Sequence, residues 1–151
     1  SMATETSDLA AGIVAEARAW IGTPYRHQAS LKGVGTDCLG LVRGVWRAVV
    51  GAEPEPIPAY TRDWGDYDGA EPLLAGTTRH LRPVGLADLS DGDVVLFRMV
   101  PGGPVKHCGI AATRGTTRTL VHAWSGHAVA EVPLDTIWRR RLVTVHRFPG
   151  A

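Results

Sequence analysis

Asp37-Cys38-Leu39-Gly40-Leu41-Val42 decides how this chain is read. A glycine-rich approach (Gly33, Gly35) runs into Thr36-Asp37, and an apolar periodicity begins on the cysteine. Leu41, Val42, Val45, Trp46 and Val49 fall on one helical face, with Arg43 and Arg47 on the remaining one. The spacing predicts a buried helix over 38–50 that Gly51 stops. Cys38 then sits in its first turn, where free backbone N–H groups and the positive end of the helix dipole stabilise a thiolate, the nucleophilic form of the side chain.

Upstream, Leu9, Ile13, Val14, Ala17, Trp20 and Ile21 make one apolar stripe and predict a helix over 7–21 with Ser7 as its N-cap. Gly22 and Pro24 end it, and 25–35 reads as a loop. Downstream, the prolines at positions 54, 56 and 58 exclude a helix interior, so 53–58 is an extended connector that continues through 60–68. A weak helix is expected over 70–81, and Ser90-Asp91-Gly92-Asp93 closes a turn-rich stretch over 86–93.

The period then changes. Residues 94–99, 106–113, 118–123, 127–132 and 142–148 read as strands, with Gly102-Gly103, Arg114-Gly115 and Ser125-Gly126 turning between them and a short helical crossover over 133–139. Helices first and a strand meander second is the α+β pattern, with the N-terminal helices packed on a five- to six-stranded antiparallel sheet.

Two of the strands carry His107 and His122. One helix-borne cysteine and two later histidines form a candidate nucleophile, base and orienter. The imidazole titrates near neutrality, so His107 can accept a thiol proton and return it to a leaving amine. His122 can fix the tautomer of that ring if the two share a face of neighbouring strands. Two other readings stand beside this one. The three side chains could be zinc ligands, although no C-x-x-C or H-x-x-x-H pair supports a metal. Cys38 and Cys108 could form a disulfide. Strand alternation argues against it: if His107 faces Cys38, Cys108 faces away and reads as a small buried hydrophobe. His80, His127 and His146 read as surface or strand residues, and Arg139-Arg140-Arg141 as a solvated face. Of the tryptophans, Trp64 and Trp124 are the two admitted to a binding groove, and the rest are taken as core.

With 151 residues the chain is long enough for one domain with its own core, 1–151. A net charge of +1 gives no global field to attract nucleic acid or an anionic membrane. No apolar run approaches the roughly 20 residues of a membrane span. Residues 1–6 lack a basic region followed by an apolar core, so no secretory signal is expected. Ser1 ahead of Met2 reads as a cloning scar, 1–6 are expected outside the ordered fold, and synthesis in the cytoplasm is expected.

Gly22-Thr23-Pro24-Tyr25, Asp37-Cys38-x-Gly40-Leu41-Val42, Ser90-Asp91-Gly92-Asp93-Val94-Val95-Leu96-Phe97, His107-x-Gly109-Ile110 and Val121-His122-Ala123 together resemble, in order and over nearly the whole chain, the NlpC-type (NlpC/p-sixty) cell-wall peptidases. The resemblance implies a papain-like fold, no cofactor, and cleavage of peptidoglycan stem peptides at the bond between D-γ-glutamate and the diamino acid. It implies Cys38 as nucleophile, His107 as base, His122 as the polar third residue and Tyr25 as the tyrosine beside the thiol. Asp37 matches the acidic residue implicated in reading the free amine of the stem peptide's first alanine. Two departures affect the substrate end: Leu39 replaces the family's serine, and His27-Gln28-Ala29 replaces its aromatic-Gly-Gly run, which makes His27 and Gln28 candidate lining residues. The longer run from Tyr25 to Ser30, followed by Asp37 to Trp46, is similar to a narrower branch, the tail-associated cell-wall peptidases of prophages and gene transfer agents. That branch implies assembly with a tail hub or tip protein and action in the periplasm of a target cell. A catalytically silent tail-tip module that grips cell wall is the rival reading, and acyl transfer on the same scaffold is a third.

Overall fold

A computed structural model describes residues 2–56 and 71–151. The apolar stripes build two helices, α1 (Met2–Ala19) and α2 (Cys38–Val49). Ile13 and Ala17 of α1 and Leu41 and Val45 of α2 are fully buried, each large side chain worth about 1.5–3 kcal/mol of transfer free energy. The helices meet closely at Gly44, where a Cβ would stand 2.0 Å from the Trp20 ring. Between them β1 (Ser30–Leu31) and β2 (Gly35–Thr36) form a small hairpin.

The second half contains α3 (Pro72–His80), β3 (Arg82–Val84), a 3-10 turn (Leu86–Asp88), β4 (Val94–Arg98), β5 (Val105–Arg114), β6 (Thr117–His122), β7 (Ala130–Pro133), α4 (Thr136–Arg141) and β8 (Leu142–Arg147). The six strands pair antiparallel in the order β3-β8-β4-β5-β6-β7. One face carries Val94, Leu96, Cys108, Ile110, Ala112 and Val121 against α1 and α2. The other carries Val95, Phe97, Ala111, Leu120 and Val145 against Leu134 and Trp138. Burial on both faces explains why Val94-Val95-Leu96-Phe97 is a continuous apolar run rather than an alternating one.

Two register shifts flank Phe97. On β5, Phe97 pairs with His107 but Arg98 pairs with Val105, so Lys106 is an extra residue. On β8, Leu96 pairs with Thr144 but Phe97 pairs with Leu142, which makes Val143 extra. Such bulges bend a strand and re-aim its side chains. Because of the first, Val105 and Cys108 both join the helix-side core.

α1 is tied to the far edge of the sheet by Arg18, whose Nε and Nη2 donate to the Glu131 carboxylate at 2.9 Å each. Thr119 also donates to Glu131, at 2.6 Å. Arg18 first, with Thr119 and Arg114, holds the Glu131 carboxyl down at about 2.

The predicted helices and strands form close to where expected, with four differences, the first being that the strand read over 127–132 forms only as β7 from Ala130. α1 begins at Met2, so Ser7 lies within the helix rather than capping it, and 2–6 belong to α1. The β1–β2 hairpin falls in what the sequence reads as loop, and β3 adds a strand ahead of the turn-rich stretch. Most of the proline-rich connector and Trp64 lie outside the described residues. Among the described residues no helix is long and apolar enough to cross a membrane.

Candidate active site

Asp37 launches α2. In extended backbone (φ −102°, ψ −172°), its Oδ1 accepts from the Gly40 N–H at 2.7 Å, an N-cap bond. Its Oδ2 accepts from the Gln28 N–H, also at 2.7 Å, and so pins the one described non-glycine residue with positive φ (64°). The carboxylate is 3% exposed. Expected to face a substrate amine, Asp37 has its two oxygens turned to the backbone, and its observed work is to hold the helix start and the 25–29 loop in place. That loop runs parallel to Thr36: Arg26 N–H donates to Thr36 O, and Thr36 N–H to Pro24 O, both at 3.0 Å. Tyr25 is thereby set beside the segment that leads into Cys38. Tyr25 and His27 are half-buried, and Gln28 is exposed.

Cys38 follows at the first helical position, half-buried. Its Sγ lies 3.8 Å from the carbonyl oxygen of Lys106, the bulge residue of β5. Cys38 packs against the helix-side core that contains Cys108, while the His107 ring faces Phe97 and Trp138. Strand alternation holds with the assignment reversed: Cys108 faces the helix side and His107 the opposite face, so the argument that turned Cys108 away from the nucleophile fails at its premise that His107 faces Cys38. Both cysteines are free thiols. The hydrogen bond from Cys108, followed by the hydrogen bond and charge of His107, outweighs burial and the Asp37 charge and brings the Cys38 thiol down to about 5.

His107 points to the opposite face, where Nε2 meets His122 Nδ1 at 2.7 Å. One register step beyond the Ile110–Val121 pair, Gly109 lies opposite His122. His122 leans diagonally across this bare backbone to reach His107. Burial, then the neighbouring His107 and His127, push His122 down to about 3. It is neutral near pH 7, so its Nδ1 accepts, the His107 Nε2–H donates, and the His122 proton is assigned to Nε2. Aromatic walls fix both rings. Trp138 lies 5.5 Å from the His107 ring and edge-on, 5.0 Å, to that of His122, while Phe97 lies 5.7 Å from His107. Trp124, 42% exposed, stacks on His122 at 6.4 Å.

The structure thus unites Cys38, His107 and His122, with Trp124 at the rim. Three contributors escaped the sequence reading. Cys108 joins through its place on the helix-side face and Phe97 through its pairing with His107, and a single sequence marks neither which face meets α2 nor the strand register. Trp138 reads from the sequence as ordinary core, and it is 8% exposed, but its ring packs on both histidines. His146 lies beneath α3 against Thr78, and His80 pairs with Glu55, both away from this cluster. Arg141 caps the Trp138 ring at 5.3 Å.

A helix-borne thiol, an imidazole on the adjoining sheet and a second imidazole behind it, on N-terminal helices packed against an antiparallel sheet, define a papain-like α+β protein. The model of the NlpC/P60 family matches residues 22–147, and the chain belongs to that family, which implies a cell-wall peptidase. The NlpC/p60 domain of the peptidoglycan hydrolase SagA is 25% identical and superposes with a TM-score of 0.62, over 92% of this chain and 98% of that one. An NlpC/P60 family protein from Bacillus cereus ATCC 10987 (21% identity, TM-score 0.66) is covered over 40% of its length and 92% of this chain. An N-acetylmuramoyl-L-alanine amidase from Bacteroides uniformis ATCC 8492 (16% identity, TM-score 0.60) shares the fold over 92% of this chain and 97% of its own. A search of curated proteins finds no match.

Proposed function

We propose that this protein is a cysteine endopeptidase that hydrolyses peptidoglycan stem peptides at the bond between D-γ-glutamate and the diamino acid. The observation that supports this reading is the His107–His122 bond at 2.7 Å, together with a Cys38 thiol at the start of α2 that lies 3.8 Å from the carbonyl of Lys106, the residue before His107. The Cys38 thiolate attacks the amide carbonyl. Backbone N–H groups at the α2 start, including that of Cys38, stabilise the oxyanion. His107 gives its proton to the leaving amine, then takes one from the water that hydrolyses the thioester, while His122 holds the ring. Tyr25, His27, Gln28 and Trp124 are assigned to the substrate groove, and Asp37 holds its floor. The likeness of the 25–30 and 37–46 runs to the prophage and gene transfer agent branch supports a tail-associated role, docked on a hub or tip protein and opening the wall of a target cell.

Mass spectrometry of digested Gram-negative muropeptides tests the reading. Wild type is expected to release fragments carrying one added water at that bond, and Cys38→Ala to lose on the order of 10³-fold or more. Equal cleavage by both would end it.

A further inference from the structure

The half-buried arginines of this protein pair with carboxylates, with one exception among the described residues. Arg18, Arg43, Arg98, Arg118 and Arg147 hold Glu131, Glu53, Glu71, Asp91 and Asp93 respectively. Arg141 is half-buried too, yet among the described residues its guanidinium has no acceptor, and what it meets is the Trp138 ring at 5.3 Å. The acid of its own helix, Asp135, accepts from the Trp138 N–H at the opposite end of α4. An aromatic face attracts a cation but leaves the N–H donors of the fork without lone pairs. A carboxylate supplies them, through charge-assisted bonds in the planar geometry that the guanidinium fits.

That unmet fork stands beside the imidazole pair. Trp138 packs at 5.5 Å on His107 and at 5.0 Å on His122, and Trp124, 42% exposed, meets it edge-on at 5.6 Å. In the proposed reaction His107 gives its proton to the leaving amine, so the leaving half of the stem peptide lies on the His107 side of the scissile bond. From His107 the next ring is Trp138 and the next cation is Arg141, within reach of a diamino acid's side chain. Arg139 and Arg140 precede it on α4 but are exposed, and Arg139 is turned to the Leu134 carbonyl.

We infer that Arg141 is a specificity-determining residue for the leaving half of the substrate, where its guanidinium, seated on Trp138, takes a carboxylate. This rests on the reading of the protein as a stem-peptide hydrolase. Two carboxylates qualify by chemistry: the one that ends a diaminopimelate side chain and the one that ends the peptide. A lysine residue lacks the first.

The test reads binding rather than turnover. Diaminopimelyl-D-alanine, a leaving half, is titrated into the whole protein while the indole N–H signals of Trp124 and Trp138 are followed by NMR. Its Kd is compared with those of two analogues, one amidated at the side-chain carboxylate and one at the C-terminus. In wild type, amidation at one of these positions is expected to weaken binding about tenfold or more, and that position identifies the carboxylate. In Arg141→Gln the acid and that amide are expected to bind alike. Disturbed packing of Trp138 would weaken every ligand together, so the ratio isolates the charged contact. No shift of either indole with the acid, equal Kd values for acid and amides in wild type, or a ratio that survives in Arg141→Gln overturns the inference. A wild-type protein that shows the ratio but cuts no stem peptide would sink the hydrolase reading and leave the carboxylate site standing.

Discussion

Gly109 leaves bare the backbone that His122 crosses. A Cβ at Gly109 would stand 3.0 Å from the His122 Cβ, 2.8 Å from the Val121 carbonyl oxygen and 2.5 Å from Leu120 Cδ1. The 2.7 Å bond between the two imidazoles therefore depends on a missing methyl group two residues from His107. Gly109→Ala is expected to cost about 2 kcal/mol by overpacking and to part the two rings. Thermal melts and muropeptide turnover check both, with activity expected to fall further than stability explains.

His122 gives a pH signature. Its folded-state value of about 3 lies below the ordinary 6.5. Above about pH 6.5 it is neutral in both the folded and the unfolded chain and adds no pH dependence. Between the two values the unfolded chain takes up a proton that the folded chain refuses, so stability falls as the pH falls. The Glu131 carboxylate, held at about 2 against an ordinary 4.5, adds its own loss only below 4.5. Melting temperature is expected to drop on acidification from pH 6.5 toward pH 4.5 in wild type. In His122→Asn that upper part of the slope should be flattened. Equal slopes in the two proteins would show that His122 is not held neutral by the fold.

Trp138 is the test of what keeps that histidine neutral. Burial is the first cause of the His122 shift, and the Trp138 ring stands edge-on to it at 5.0 Å. Trp138→Ala is expected to lose about 3–5 kcal/mol, and Trp138→Phe much less. In both, an NMR titration should show His122 rising toward the ordinary 6.5, more in the alanine variant.

Asp37 serves the backbone at two points, the α2 cap and the positive-φ Gln28. Asp37→Ala should cost about 2 kcal/mol by removing a cap and leaving amides unpaired, and Asp37→Asn about half of that by keeping one acceptor. Because the Asp37 charge raises the Cys38 value, the asparagine variant should alkylate at least as readily as wild type at acid pH. A large fall in its alkylation there would show that the charge, not the cap, serves the thiol.

The chemistry was legible in the sequence because it sits on strong local signals. A cysteine at the start of an amphipathic helix and two histidines in strand-like runs needed only a shared face to meet, and His107 and His122 share one. The fold class was legible for a similar reason: the period changes once, near the middle of the chain. What stayed hidden depends on register. The argument that turned Cys108 away from Cys38 assumed that His107 lies on the face that the helix covers. The strand alternates as expected, but it is Cys108 that faces the helices and His107 that faces Phe97 and Trp138. The start of α1 at Met2 was missed because Ser7 is a good cap by type, although nothing local prevents the helix from running through it.

The extra residue at Lys106 also divides β5 into two stretches with different tolerance to changes of length. On its N-terminal side lies the 99–104 turn, where an added or deleted amino acid is taken up before the ladder to β4 begins. On its C-terminal side 107–110 are locked in step with β4 and 110–114 with β6, so one insertion between Cys108 and Ile110 would turn the imidazole and the second sulfur to the opposite sides of the strand. Gaps among kindred sequences should therefore gather ahead of that kink and be absent just after it.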